Sequence, residues 1–461
     1  MLALFRPGCS SDCRAGLSLQ RLRAYLSQGL PNLSAEAGVN NCKRRDCRST
    51  TFVTCSTISL YLSPTDRSSA AVGPSSTVHA YLDCSRWLLL HSRDPPAEMA
   101  ESRESVLRRY LDLEQPDDAV FCTYVFVDGT LEKVRSKIKT LDFEPKRVED
   151  CPVWTFCALG SYQWPDGGPK SEAYLVPVAL FRDPFFGGRN KIVLCEVLQH
   201  DRTPMKTNTR RSCYQAMQKA ADQEPWFGIE QEYVLTEKDG QPLGWPRHPS
   251  QTIKPLGPYL YGVGADVVEG RYVSDAHYKA CTYAGVKMAG TNCEGILSQW
   301  EYQVGPLPGV EAADHLWMSR YILERVAEDF GLLVSLDPMP FPPGNWIGSA
   351  MHTNFSTKAT RSEGGIGAIR DAIRKLEGNA EALLSKYDTA RVKRNKLRMN
   401  AGYLCTPDTQ FSSDACSKEV SVRIPLAVVE AGKGYFEERR PGGNADPYTI
   451  CEALVRTVCL D

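Results

Sequence analysis

The sequence lacks any apolar run long enough to cross a bilayer. Its densest short cluster, Trp87-Leu88-Leu89-Leu90, falls far below the ~18 residues that a span needs. It also lacks an excess of charge. The 461 residues carry a formal net charge of -1, so nothing electrostatic selects a nucleic acid or a membrane surface as partner. There is no internal repeat and no CxxC pair, although the chain holds 17 cysteines. Cys9 with Cys13, and Cys42 with Cys47, leave a zinc site open, but no histidine lies near either pair. Scattered thiols in a reducing compartment are the other reading. Charged residues at 24% and hydrophobic residues at 42% are those of an ordinary soluble globular protein. The length suggests roughly two to four domains, or one large subunit with a small satellite.

Residues 1–98 differ from the rest. They are rich in Ser, Cys and Arg and show no sustained helical or strand periodicity. The first 35 residues hold Arg6, Arg14, Arg21 and Arg23 against one acid, Asp12. That composition is weakly like a transit peptide. A disordered extension, or translated upstream sequence with no role, is the alternative. Met99 makes a sensible start for the folded protein. From Ala119 to Val127 the chain reads as a strand that ends in an Asp128-Gly129 turn, and residues 133–140 read as the returning strand. Residues 191–197 are a further strand. Helices are expected over 211–221, 275–284, 314–330 and 364–386, and a strand over 229–235.

Glu230 and Glu232 are two apart in a strand-like segment, so both carboxylates face one side. Like charges on one face repel unless the face is solvated or a cation sits between them. The apolar flank of Trp226, Phe227, Ile229 and Tyr233 turns the reading towards a lined cavity. Glu294 and Glu301 form a second acidic group. The run Met351 to Ser356 contains His352, and Gly434 to Pro441 contains Glu437, Glu438, Arg439 and Arg440. Carboxylates with one histidine suit Mg²⁺ or Mn²⁺ bridging phosphate oxygens. Arginines supply forked donors for phosphate or carboxylate. Taken singly, each acidic run also fits a solvated face.

Several strings occur in order from about Thr123 to the end: Phe143 to Lys146, Trp226 to Tyr233, Gly262 to Asp266, Ala276 to Cys281, Trp300 to Pro306, His352 to Ser356 and Phe436 to Pro441. Together they resemble the eukaryotic-type glutamine synthetases. The resemblance implies an α+β fold: a small N-terminal β-grasp-like domain over 115–205, and a large catalytic domain over 206–461. The latter would carry an antiparallel β funnel with outer helices. It implies ATP-dependent amidation of glutamate with ammonia through γ-glutamyl phosphate, with two or three Mg²⁺ or Mn²⁺ ions per site. Glu232, Glu294 and Glu301 would hold one ion; Glu230, His352 and Glu437 would hold another. Asn354, Phe355, Ser356 and Tyr435 match nucleotide-contacting positions, with Glu230, Lys418 and Arg423 beside them. Arg398 (with one inserted residue), Arg423 and Arg439 match catalytic arginines, and Asn345, Gly348 and Arg439 match substrate contacts.

The chain departs from that pattern on the substrate side. The family's ammonium-binding Asp is Cys157, and a glutamate-contacting Asn is Ile347. The flap reads Gly402-Tyr403-Leu404-Cys405-Thr406, so Leu404 and Cys405 stand where the family has His and Glu. Lys418 replaces an arginine and keeps the charge without the fork. None of these changes falls on an expected ion ligand. Three readings stay open: a working glutamine synthetase, an impaired member that co-assembles with an active paralogue, or a ligase for another acid or amine. The resemblance also implies a homo-oligomer, a decamer of two stacked pentamers, with Cys157 reaching a neighbour's site. The expected location is cytoplasmic, or mitochondrial if the first segment is a transit peptide.

Overall fold

The computed structural model describes residues 33–43, 54–64, 103–163, 171–247, 253–254, 257–341, 346–388, 394–401 and 407–461. The chain divides into two units, Met1–Arg109 and Tyr110–Asp461. In the first, β1 (Leu33–Lys43) and β2 (Thr54–Pro64) pair antiparallel in a stretch where no strand is expected from the sequence. Helix α1 (Arg103–Leu111) follows. The thiols at positions 9, 13 and 47, and the side chain at 42, lie outside what is described.

The small sheet holds β3 (Val120–Val127), β4 (Val134–Leu141), β5 (Trp154–Cys157), β6 (Glu172–Arg182) and β7 (Lys191–Leu198), in the order β4-β3-β7-β6-β5. Strands β3 and β7 run parallel and the other pairs antiparallel. The expected hairpin forms because Asp128 bonds back to Lys133 O through its N–H at 2.9 Å and accepts from Thr130 N at 2.9 Å. Gly129 is required there, since a Cβ would lie 1.9 Å from Tyr162 O. The near-continuous apolar run of β3 has a simple cause: both faces are covered. Cys122, Tyr124 and Phe126 point into one core with Val193, Cys195 and Val197 of β7. Val125, Ile192 and Leu194 point the other way, into the main core of the unit.

The large sheet holds β8 (Trp226–Thr236), β9 (Met288–Cys293), β10 (Gln299–Pro308), β11 (Leu333–Ser335), β12 (Met351–Ser356), β13 (Ser413–Ala415), β14 (Val422–Ile424) and β15 (Phe436–Glu438). Its order is β13-β14-β15-β12-β8-β10-β9, with β11 also on β8. All pairs are antiparallel except β13–β14 among the described residues.

Helices cover the other face. Helix α2 (Thr209–Lys219) starts on Asn208, whose side chain caps Arg211 N. Helix α3 (Arg271–Ala284) runs four residues earlier than the expected start. Helix α4 (Glu311–Asp329) buries Leu316, Trp317, Met318, Ile322 and Leu323. Its buried Arg320 donates through Nη2 to the carbonyls of Gly443 and Ala445, each at 3.0 Å, and through Nε to Gln231 Oε1 at 2.9 Å, while Nη1 is left without a hydrogen-bond partner among the described residues. The helix expected over 364–386 is interrupted. It forms α6 (Ile366–Gly378) and α7 (Ala380–Leu384), after the short α5 (Lys358–Arg361). Gly378 is a poor helix former, and the Asn379 side chain donates to Lys375 O at 3.0 Å, ending the first segment. The chain closes with α8 (Asn395–Met399), α9 (Leu426–Ala431) and α10 (Pro447–Val455).

Candidate active site

Strand register assembles one polar face across the large sheet. On β8, Glu230 and Glu232 share a side by the two-residue period. Across the ladder to β10, Glu232 is opposite Glu301 and Glu230 is opposite Gln303. Across the other edge of β8, Glu230 is opposite His352. Further out, Asn354 on β12 and Arg423 on β14 both stand opposite Glu437 of β15. Opposed residues of antiparallel strands project to the same side. Glu294 joins from the loop after β9, held by Asn292 Nδ2 at 3.2 Å and Gly295 N at 3.3 Å.

These side chains line an acidic cavity of about 410 Å³ that also includes Tyr261, Ile347, Gly348, Arg398 and Lys418. His352 Nδ1 lies 3.8 Å from Glu230, 4.0 Å from Glu232 and 3.6 Å from Glu437. Two sets have donor atoms within 4.8 Å of one another: Glu230, His352 and Glu437, and Glu232, Glu301 and His352. The first set is the one expected from the sequence. In the second, His352 stands where Glu294 is expected, while Glu294 shares a hydrogen bond with Glu301.

The electrostatics fit a cation. Burial, then repulsion from Glu294, pushes the Glu232 carboxyl up to about 8. Burial, then Glu230 and Glu294, pushes Glu301 up to about 10. Glu294 is raised by burial as well, and burial holds His352 well below the usual imidazole range. By themselves Glu232, Glu294 and Glu301 favour the neutral acid beside a neutral imidazole. A divalent ion reverses that preference and leaves every donor in its ligating form.

Arginines neutralise the far end. Arg423 and Arg439 both pair with Glu437, Arg439 at 2.5 Å. Arg439 Nε also donates to Lys418 O at 3.2 Å. Arg398 is buried, and its guanidinium donates to Arg440 O at 2.7 Å and Arg439 O at 3.3 Å. It therefore fixes the loop that carries Arg439. Gly348 has no room for a side chain, since a Cβ would lie 2.1 Å from Pro338 O and 2.5 Å from Arg398 Cγ.

A second cavity of about 400 Å³ adjoins the first and shares Glu230 and Gln303 with it. Its walls are mainly apolar and include Trp226, Phe227, Asn354, Phe355, Ser356 and Tyr435. Arg361 lies 4.1 Å over the Trp226 ring and donates to Ser356 Oγ at 2.9 Å. Asn354 Nδ2 donates to Glu230 at 2.8 Å, so the two cavities meet at a fixed wall.

The altered positions separate. Ile347 lines the acidic cavity while packing with Trp245, Ile296 and Phe341. Cys157 is exposed at the end of β5 and belongs to neither cavity. Asn345, Leu404 and Cys405 lie outside the described residues. Asn292, Gln303 and Tyr261 were not singled out from the sequence. The period-two rule applied to β10 reaches Gln303 from Glu301, but Asn292 emerges only from the β9–β10 register.

Residues 206–364 match the family model for the glutamine synthetase catalytic domain. Glutamine synthetase 2 cytoplasmic of Drosophila melanogaster is 45% identical over 362 residues, which is 78% of this chain and 97% of that protein. Glutamine synthetase of Homo sapiens is 47% identical over 352 residues, 76% of this chain and 93% of that protein. Among solved structures, one described as apo GmaS without ligand matches with a TM-score of 0.58 at 22% identity, covering 77% of this chain and 79% of the other. That last likeness concerns the fold. The identity, sustained over nearly the whole length of these relatives, settles the family: the chain belongs to the glutamine synthetases.

Proposed function

We propose that this chain amidates glutamate with ammonia at the expense of ATP, through γ-glutamyl phosphate. One observation supports this reading above others. Ligand-type carboxylates, one imidazole and paired arginines share a sheet face that walls both an acidic cavity and an adjoining apolar cleft.

A carboxylate is a poor acyl donor, and phosphorylation gives it a leaving group that an amine can displace. Bound divalent ions would neutralise the phosphoryl charge during transfer. Glu232, Glu294 and Glu301 are assigned to one ion, and Glu230, His352 and Glu437 to another. Asn354, Phe355, Ser356 and Tyr435 receive the nucleotide in the apolar cleft. Arg423 and Arg439 grip phosphate and carboxylate, Lys418 adds a point charge, and Arg398 holds their loop. Gly348, on the wall of the acidic cavity, is assigned to contact the acid. Family membership supports assembly into an oligomer, and we take a decamer, with Cys157 directed to a neighbouring site.

A second reading has its own observation. Ile347 puts an apolar side chain on the cavity wall, which suits a less polar acid or amine. The test is ATP-dependent glutamine formation by the full chain from glutamate and ammonium with Mg²⁺, with ATP binding measured alongside. Turnover of ~1–10³ s⁻¹ supports the first reading. ATP binding with no glutamine formed, and turnover on another acid or amine, supports the second. ATP binding with neither sinks both readings and leaves a partner of an active paralogue.

A further inference from the structure

We propose that Gln303 is a positioning residue that orients Glu301 towards the ion site, and that position 290 is glycine to seat it. This rests on the assignment of Glu301 as an ion ligand.

Gln303 occupies the middle of the polar face, opposite Glu230 on β8 and opposite Gly290 on β9. Its Nε2 donates to Glu301 Oε1, and to Asn292 Oδ1 at 3.3 Å. Its Oε1 lies over Gly290, where an added Cβ would come within 2.4 Å of it. Gly290 is not among the glycines with positive φ, so its backbone has no need of glycine. A glycine inside a strand ordinarily weakens the strand. The collision with Gln303 gives this one a reason.

The chemistry of the amide explains why Gln stands at this position. A carboxylate that is to hold an ion must present one oxygen and have the other held. A lysine beside Glu301 would compete with the ion, and another acid would deepen the repulsion already present. A neutral amide donor does neither. Because Gln303 lines both cavities, it also fixes their common wall at the point where a phosphoryl group would pass.

The test measures Mn²⁺ affinity by calorimetry on the full chain, comparing the parent with Gln303→Met, Gly290→Ala and the double variant. Thermal unfolding without metal checks that each folds. Each single change is expected to weaken Mn²⁺ binding about tenfold. The double variant should lose no more than either, because both act through one side chain. Unchanged affinity in Gln303→Met, or losses that multiply in the double variant, would overturn the inference. Should Gly290→Ala fail to fold, Gln303→Met decides alone, since methionine fills the volume without a donor. If the parent itself binds no Mn²⁺, the ion-site assignment fails and this inference fails with it. If the parent binds and the Met variant is unaffected, only this inference falls.

Discussion

Glu301 stands directly opposite Glu232 across the β8–β10 ladder, on the same face, with both side chains buried. Two carboxyls placed this way cannot both ionise at little cost without a cation. Four expectations follow from this cluster and its surroundings.

The pH dependence of stability should depend on metal. Glu232 is raised to about 8 and Glu301 to about 10, above the unfolded carboxyl value of about 4.3. Between those limits the folded state binds more protons than the unfolded state, so stability falls as pH rises. Their contribution is complete below about pH 4 and is lost through pH 8 and beyond. Thermal unfolding in chelator should show this decline, and saturating Mg²⁺ or Mn²⁺ should flatten it. An identical slope with and without metal would count against the site.

Glu437→Gln should be severe. Glu437 is 0% exposed and is the shared partner of Arg423 and Arg439. Removing its charge leaves a buried arginine uncompensated, which costs about 3–5 kcal/mol. Urea unfolding measures that loss, and metal affinity should fall with it. A change below about 1 kcal/mol would mean the arginines find other partners.

Ile347→Asn should trade stability for glutamate. The new amide would face the acidic cavity, and one hydrogen bond of about 1.4 kcal/mol lowers the glutamate KM about tenfold. Placing an amide against Trp245 and Phe341 should cost about 1–3 kcal/mol of stability. Steady-state kinetics and denaturation report the two effects separately. Loss of stability with an unchanged KM would show that the side chain serves packing alone.

Cys157→Asp should leave stability untouched, because Cys157 is exposed. If this position serves ammonium, the new carboxylate should lower the ammonium KM about tenfold, a gain of about 1.4 kcal/mol. Unaltered kinetics in the assembled oligomer would remove position 157 from the site.

Much of this site was legible because it obeys the strand period. Glu230 with Glu232, and His352 with Asn354, are pairs two apart, and the ladder needs only to bring their strands together. What stayed hidden depends on register between distant strands. Asn292 meets Glu301 because β9 and β10 pair with a particular offset, interrupted between Gln303 and Val304. No local pattern encodes that offset. Arg398, which the resemblance places among the catalytic arginines, lines the acidic cavity, and its bonds in the fold run from Nη2 to backbone carbonyls of the Arg439 loop and from Nε to Asn395 Oδ1. In the fold, the break at Gly378-Asn379 was missed, because the helix was expected to run unbroken over 364–386, and α3 starts four residues before the expected position, after Gly270.

Strand β3 divides its side chains between two cores, and this has a consequence for how the chain comes apart. Val125, Ile192 and Leu194 belong to the same apolar cluster as Trp317 and Leu454. The small sheet is therefore not a module that can be cut away at the boundary near residue 205. Peeling it off would uncover the flank of the larger sheet's core, so heat or denaturant should melt both in a single cooperative transition. A fragment starting at residue 206 would expose that flank to its own copies, and precipitation, rather than a smaller working enzyme, is its expected fate.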